Sequence, residues 1–233
     1  MVGVTLNMDL GELPDEPEAL YACCTVANVA CGGHVGDAAS MSDAVGRCVR
    51  YRCRLSAHPS YPDRASFGRV SMTLPQDVLV RALVTQLEAL QATATAQGTT
   101  VTAVKPHGAL YHDAASTSAT AQALLDAVDR VLPAVTLVGP PVGALARLCA
   151  ARGLGYAREG FADRAYRADG GLLARGQPGA LLLDPAACAA QAVRLAQGGQ
   201  VETVCVHGDT PNALAVVTAV RDALANAGLL VTR

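Results

Sequence analysis

Short apolar runs rich in β-branched residues alternate along this chain with longer segments rich in Ala, Leu and Arg. Runs of the first kind are typical of buried strands, and the longer segments are typical of helices that pack against them. The pattern predicts seven strands, at residues 4–8, 25–30, 55–58, 101–105, 135–138, 155–158 and 201–206. It predicts helices at residues 38–52, 75–97, 117–131, 142–152, 185–197 and 212–226, and a loop or hairpin at 170–183.

This regular alternation predicts parallel strands with helices on the outside. An open, doubly wound sheet would collect its polar site residues at one switch point. Here polar clusters follow nearly every strand, which favours a closed or nearly closed barrel with its site at the carboxyl ends of the strands. We therefore predict an α/β protein, an irregular TIM-like (β/α) barrel of about seven parallel strands. No linker or repeat marks a boundary, so we expect a single domain over residues 1–233.

Three of the predicted strands carry polar residues at every second position, which places those residues on one face. They are Asn7 and Asp9 on the first strand, Lys105 and His107 at the end of the fourth, and Thr203, Cys205 and His207 on the seventh. Helices cover the outside of such a barrel, so the polar face points inward. An unpaired buried polar group costs about 1–3 kcal/mol, and more if it is charged. So many polar groups at one rim indicate a functional site.

Lys105 is the only lysine among the 18 basic residues of the chain. It lies two positions before His107, so the two side chains share a face of the predicted strand. Lysine provides a compact, titratable charge that arginine does not. The other polar residues at or just past strand ends are Asn7, Asp9, Glu12, Asn28, His34, Asp37, His58, Asp63, Glu159, Asp163, His207 and Asp209.

Composition excludes several classes of function. The formal net charge is −2, aromatic residues make up 3% and Trp is absent, so we expect no nucleic-acid partner. No apolar run approaches the length of a membrane span, and we expect no membrane partner. Eight cysteines occur without a CxxC pair or a secretory leader. This combination predicts reduced thiols and a cytoplasmic protein.

The chain contains neither a GxxxxGK[ST] phosphate loop nor a GxSxG nucleophile elbow. The absence of the elbow lowers the case for an acyl-enzyme intermediate. It favours attack by water with acid–base or metal assistance.

The polar clusters, taken in order, resemble the LamB/YcsF family. The matching segments are residues 6–12, Asn28 with 31–37, 57–63, 67–69, 104–111, Glu159 with 161–164 and Tyr166, and 206–211. The chain departs from the family pattern at Met8, Gly33 and Ser60, where Cys, Phe and Gly are usual. Met8 falls on the apolar face, whereas Gly33 and Ser60 fall in rim loops.

The resemblance implies a barrel of the glycoside hydrolase/deacetylase-like group. It also implies cleavage of 5-oxoproline (pyroglutamate), a small-molecule substrate, to L-glutamate coupled to ATP hydrolysis. ATP with Mg²⁺ would be used through a complex with two partner subunits, B and C. The partners would activate the lactam with ATP, and this chain would open the ring.

Under this resemblance, the expected catalytic residues are Asp9, Lys105, His107 and Glu159. The expected substrate-binding residues are Asn7, Asn28, His34, His58, Arg164 and His207. A carboxylate or a histidine would activate water, and Lys105 would balance negative charge on the substrate or on the oxyanion. The general base is left open between these groups.

Two alternatives remain at this point. The chain could be a stand-alone amidase or deacetylase that uses a divalent metal, since related barrels hold one with an Asp–His–His set. Asp9, His58 and His107 would supply that set here. It could also be a non-catalytic subunit that binds a small carboxylate for its partners.

Overall fold

The computed structural model describes residues 3–231. Its seven strands are all parallel and close into a barrel in sequence order, because β1 pairs with β7. They are β1 (Thr5–Leu10), β2 (Val26–Ala30), β3 (Arg54–His58), β4 (Val101–Val104), β5 (Thr136–Gly139), β6 (Tyr156–Phe161) and β7 (Thr203–His207). The predicted barrel is confirmed, and the open-sheet alternative is wrong.

The helices pack around this barrel. They are α1 (Ala19–Cys23), α2 (Ala38–Tyr51), α3 (Gln76–Ala96), α4 (Gly108–Ser116), α5 (Ser118–Val131), α6 (Ala144–Arg152), α7 (Pro185–Gln197) and α8 (Ala213–Asn226). The six predicted helices are present to within about two residues. Helix α1 was not predicted, because five residues are too few for a helical period to show. Helix α4 follows the fourth strand, in a stretch for which no helix bounds were predicted.

Local side-chain chemistry accounts for several helix ends. Asp37 caps α2 by accepting from the backbone N–H of Ser40, whose hydroxyl accepts in return from the Asp37 N–H. The Asp184 side chain likewise caps α7 by accepting from a backbone N–H of its first turn, which also contains Pro185. Gly108 opens α4 at a φ of 55°, and a Cβ there would lie 2.5 Å from the carbonyl oxygen of Gly68. Only glycine fits this close approach.

Strand alternation sorts the residues of the barrel as predicted. On β1, Leu6, Met8 and Leu10 are fully buried in the apolar layer between strands and helices. Asn7 and Asp9 point into the barrel, where their side chains meet those of other strands. The apolar layer therefore stabilises the barrel, and the interior is left for polar groups.

Strand β6 is longer than predicted. The apolar pattern ends at Arg158, but the strand continues through Glu159 and Gly160 to Phe161 and stays paired with β7. The extension places Glu159 inside the barrel. Beyond β6 the chain forms isolated antiparallel bridges between Arg164 and Leu181 and between Tyr166 and Leu172, as expected for a loop or hairpin.

Among residues 3–231, no helix has both the length and the apolar character needed to cross a membrane.

All eight cysteines are buried. Burial raises the pKa of several of them, including Cys31 to about 12 and Cys188 to about 11. Because the thiolate is the reactive species, we expect the native protein to react slowly with a thiol reagent. Denaturation without reductant should then release eight reactive thiols. Fewer than eight in a freshly prepared sample would contradict the prediction of a fully reduced chain.

Candidate active site

The strand register brings Asp9 to the centre of the polar interior. Asp9 lies beside Asn28 on β2 and beside His207 on β7. Its Oδ1 accepts a hydrogen bond of 2.9 Å from Asn28 Nδ2. Asn28 also donates to Asn7 Oδ1 at 2.7 Å, and Asn7 in turn donates to Glu159 Oε1 at 3.0 Å. Strands that are far apart in sequence therefore share one buried hydrogen-bond network.

The Lys105 ammonium lies in the middle of this network. Its Nζ is 2.8 Å from Asp9 Oδ1 and 2.9 Å from Glu159 Oε1. It also lies 3.3 Å from Asn7 Oδ1 and 3.1 Å from Cys205 Sγ. An ammonium has three protons, so these partners use its full donor capacity. The contacts favour a role in holding Asp9 over direct contact with a substrate.

Opposite charges set the protonation states here. Burial acts to raise the pKa of Asp9, but His58 and the Lys105 ammonium outweigh it and hold that pKa well below its usual value. Burial acts to lower the pKa of Lys105, but Asp9, Cys205 and Glu159 raise it well above the usual value. Lys105 and Asp9 are thus a buried ion pair at neutral pH.

A second cluster lies beside Asp9 and contains Glu12, His34, His58 and His107. Glu12 Oε1 is 2.9 Å from His34 Nε2 and 3.2 Å from His107 Nδ1. His58 Nε2 is 3.0 Å from His107 Nδ1 and 3.5 Å from Asp9 Oδ2. Burial lowers the pKa of His34 to about 4 and also lowers the pKa of His107, so both rings are neutral near pH 7.

A third group joins His207 to Asp163. His207 Nδ1 lies 3.0 Å from both Asp163 oxygens, and Asp163 also accepts from the His207 backbone N–H and from Thr210. Nδ1 therefore carries the proton, and Nε2 is left facing Asp9 Oδ2 at 3.9 Å. Burial acts to lower the pKa of His207, but the Asp163 carboxylate outweighs it, so the pKa is raised. This is the arrangement of an oriented histidine that exchanges protons near neutral pH.

These groups open onto a cavity of about 290 Å³ at the rim, a size that suits a small molecule. Its polar floor contains Asp9, Lys105 and the histidines 58, 107 and 207. Tyr111, Phe161 and Leu172 contribute an apolar wall. The cavity thus joins a small apolar surface to a dense set of acid–base groups.

Arginines surround the mouth of the cavity. Arg69 and Arg175 both pair with Asp209, at 2.6 and 2.5 Å. Arg164 donates through Nη2 to the carbonyl oxygen of Leu173 at 2.7 Å, while its buried Nε has no hydrogen-bond partner among the described residues. A positively charged mouth with an unused donor fits an anionic ligand.

The predicted site residues divide into two layers. Asp9, His58, Lys105, His107, Arg164 and His207 line the cavity. Asn7, Asn28 and Glu159 lie beneath it in the Lys105 network, and His34 lies behind His107 with the two rings stacked at 3.6 Å. All ten belong to one connected rim. The roles assigned to them stay predictions.

The barrel contains groups of residues that could hold a divalent metal. Among residues 3–231, the sets of three ligand atoms within 4.8 Å of one another include Glu12, His34 and His107, and also Asp9, Cys205 and His207. The expected set of Asp9, His58 and His107 differs from both of these. Asp9 Oδ1 accepts from Lys105 and Asn28, and Asp9 Oδ2 lies 3.5 Å from His58 Nε2.

Some site residues received no role from the sequence. Glu12 and Asp163 were recognised only as polar residues past strand ends, and nothing in the pattern indicated their histidine partners. Arg69 lies in a segment that resembles the family, but Arg175 lies in a stretch without a clear hydrophobic periodicity. Only the folded chain shows that these arginines share Asp209.

The Lys105 contacts predict the effect of two substitutions on stability. Lys105→Met leaves two carboxylates buried without their cation, which costs about 3–5 kcal/mol of unfolding free energy. Lys105→Arg is also destabilising, because a planar guanidinium does not fit among the partners of a compact ammonium. Urea unfolding measures both effects, with Arg130→Met at an exposed position of helix α5 as the control. A loss below about 1 kcal/mol in Lys105→Met would show that the carboxylates are not held as ions by this lysine.

Comparisons with known proteins agree with these observations. The family model described as the LamB/YcsF family matches residues 4–233. The A subunit of 5-oxoprolinase from Mycobacterium avium (strain 104) is 41% identical over an alignment of 247 positions, which covers 98% of each chain. The A subunit of 5-oxoprolinase from Methylococcus capsulatus (strain ATCC 33009 / NCIMB 11132 / Bath) is 42% identical over an alignment of 243 positions, which covers 97% of this chain and 94% of that one.

Solved structures extend the comparison to the fold. A lactam utilization protein from Thermus thermophilus superposes with a TM-score of 0.91 at 33% identity, covering 100% of this chain and 99% of that one. A family 4 carbohydrate esterase from Streptomyces lividans has a TM-score of 0.54 at 16% identity, over 99% of this chain and 91% of that one. The second likeness shows a shared fold alone. The resemblance predicted from the sequence is confirmed, and the chain belongs to the LamB/YcsF family.

Proposed function

We propose that this chain is the hydrolytic component of a 5-oxoprolinase, which opens the ring of 5-oxoproline to give L-glutamate in a reaction coupled to ATP hydrolysis. The observation that carries the proposal is the cavity of about 290 Å³, with acid–base groups at its floor and arginines at its mouth. Relatives that match nearly the whole chain are named as the A subunit of 5-oxoprolinase, which supports the same substrate.

5-Oxoproline has three chemical parts, and the cavity offers a partner for each. The substrate carboxylate would pair with Arg164, whose Nε is buried without a partner among the described residues. The ring methylenes would pack against the apolar wall formed by Tyr111, Phe161 and Leu172. The amide carbonyl would then face Asp9 and His207 at the floor. A small polar ring with one negative charge is thus held by groups of matching character.

His207 is the general base in this proposal. Its Nε2 would take a proton from the attacking water as the water oxygen bonds to the lactam carbon. The same proton would pass to the ring nitrogen when the C–N bond breaks. Asp163 holds the Nδ1 proton and stabilises the cationic ring in between, since both of its oxygens lie 3.0 Å from Nδ1.

Asp9 acts beside His207 as an ionised acceptor. Its low pKa makes it a weak base, so its proposed task is to orient the water and to stabilise positive charge on His207. Lys105 and Glu159, with Asn7 and Asn28, hold Asp9 in position. His107 and His58 would contact the substrate at the floor, and His34 would support His107 from behind.

Ring opening also needs an energy source. A five-membered lactam is a stable amide and a poor electrophile, and the sequence contains no phosphate loop. We propose that ATP with Mg²⁺ acts through a complex with two further subunits, B and C, which activate the lactam before this chain hydrolyses it. The relatives are themselves named as subunits, which supports assembly with other chains.

Reconstitution tests this proposal. The purified chain alone should release no glutamate from 5-oxoproline at a useful rate, even with ATP and Mg²⁺. Addition of both partner subunits should produce ATP-dependent glutamate release. Asp9→Asn should abolish that release without preventing assembly, because the substitution keeps the shape of the side chain and removes its charge.

Glutamate release and co-elution on gel filtration measure these outcomes. Arg130→Gln on the exposed face of α5 is the control and should behave as wild type. Equal activity of the lone chain without ATP would favour the metal-dependent amidase alternative. Full activity of the complex with Asp9→Asn would favour a non-catalytic, carboxylate-binding subunit.

The Asp163–His207 pair predicts a pH dependence. Asp163 raises the pKa of His207 above about 6.5, the ordinary value for histidine. Below that raised pKa the base is protonated, so kcat/KM should fall with decreasing pH. The midpoint of this acidic limb of the pH profile should therefore lie above about 6.5. Asp163→Asn removes that stabilisation, so the limb should move to lower pH while the maximal rate drops by at least about tenfold. Profiles of kcat/KM in the reconstituted complex test this. An unmoved limb would exclude His207 as the titrating base.

A further inference from the structure

The proton positions on His58 and His107 are set by backbone carbonyl groups. His58 Nδ1 is 2.7 Å from the carbonyl oxygen of Lys105, and His107 Nε2 is 2.9 Å from that of Phe67. A carbonyl oxygen only accepts hydrogen bonds, so both of these nitrogens carry protons. The second nitrogen of each ring is therefore the one that can present a lone pair.

The two lone-pair nitrogens face each other. His58 Nε2 and His107 Nδ1 are 3.0 Å apart. Glu12 Oε1 completes a triangle with them, at 3.2 Å from His107 Nδ1 and 3.7 Å from His58 Nε2. All three side chains are buried. Three electron-pair donors that converge out of contact with bulk water repel one another unless a positive charge lies between them.

We propose that Glu12, His58 and His107 form a binding site for one divalent transition-metal ion of the zinc type. Ligand atoms at 2.0–2.1 Å from a tetrahedral zinc are separated from one another by about 3.3–3.4 Å. The observed separations of 3.0, 3.2 and 3.7 Å bracket that value. Two imidazoles and one carboxylate are a donor set that such ions favour, and the open side faces the cavity.

The surroundings of the three ligands support the assignment. Histidines that bind metals donate their other ring N–H to a carbonyl or a carboxylate, as His58 and His107 both do here. Glu12 Oε1 accepts at 2.9 Å from His34 Nε2, which orients the carboxylate. His34 itself has no partner for Nδ1 among the described residues, so it lacks this support and serves as a positioning residue.

The other candidate sets are less suitable. Asp9 and Cys205 both contact the Lys105 ammonium, which would repel a metal cation bound to them. If Glu12, and not Asp9, is the carboxylate ligand beside His58 and His107, the repulsion between Lys105 and the metal cation is avoided. When bound, the ion would supply a Lewis acid at the cavity floor. The competing explanation is a single proton shared by His58 and His107. Such a proton lies between the two histidine nitrogens only, on one of the three sides of the triangle that they form with Glu12 Oε1.

Zinc titration of the chelator-treated, full-length chain tests the site without substrate or partner subunits. We expect one zinc per folded chain by calorimetry. Cobalt(II) should give the visible absorption of a four-coordinate site without the near-ultraviolet band of a thiolate ligand. Glu12→Gln and His107→Gln should weaken zinc binding by at least about tenfold. The matched controls are Glu16→Gln, at the next glutamate in the sequence after Glu12, and His112→Gln, at the next histidine after His107. Both variants should bind zinc as wild type does.

Circular dichroism confirms that each variant is folded before its titration is interpreted, and the cobalt spectrum of the wild-type chain requires no variant. Absence of zinc binding by the folded wild-type chain would overturn the site in favour of the shared proton. Loss of binding in Asp9→Asn, with no effect of Glu12→Gln, would overturn the ligand assignment. Neither outcome depends on 5-oxoproline turnover, so this site and the proposed function can fail separately.

Discussion

The interaction on which the rest of the site depends is the buried contact of the Lys105 ammonium with Asp9 and Glu159. Two carboxylates inside a barrel repel each other and resist ionisation, because burial disfavours charge. The ammonium between them offsets both effects and keeps Asp9 ionised. Asn7 adds a hydrogen bond to Glu159 Oε1, and Asn28 adds one to Asp9 Oδ1. The position and charge of Asp9 at the cavity floor follow from this network.

The polar interior has a lower layer of Asn7, Asn28 and Glu159 and an upper layer that lines the cavity. Lys105 joins the two layers, and its donors are used within the protein, so it stabilises the site without reacting. In the upper layer His58, His107 and His207 each point their second ring nitrogen at a neighbour. Asp163 and backbone carbonyls impose that orientation. The chemistry proposed here, proton transfer at His207 and metal binding beside it, belongs to the upper layer.

Much of this site could be predicted from strand periodicity. Asn7, Asp9, Lys105 and His207 were placed on an inward face from alternation alone, and they meet there. The partners of those residues could not be predicted. Glu12 contacts three histidines that come from different parts of the chain, and Arg175 meets Arg69 through Asp209 across the mouth. A pattern of hydrophobic residues carries no information on such pairs, because they depend on how separate loops approach.

The sequence by itself determined the order of the seven strands and of six helices, the apolar layer between them and the family, because each follows from local periodicity or from short motifs. The tertiary structure decided the closure of the barrel, through the pairing of β1 with β7. It also decided which carboxylate faces which base. Asp9 was the expected partner of His58 and His107. Its Oδ1 accepts from Lys105 and Asn28, its Oδ2 lies 3.5 Å from His58 Nε2, and Glu12 Oε1 lies 3.2 Å from His107 Nδ1. Distances between distant loops decide that choice, and only the closed barrel sets them.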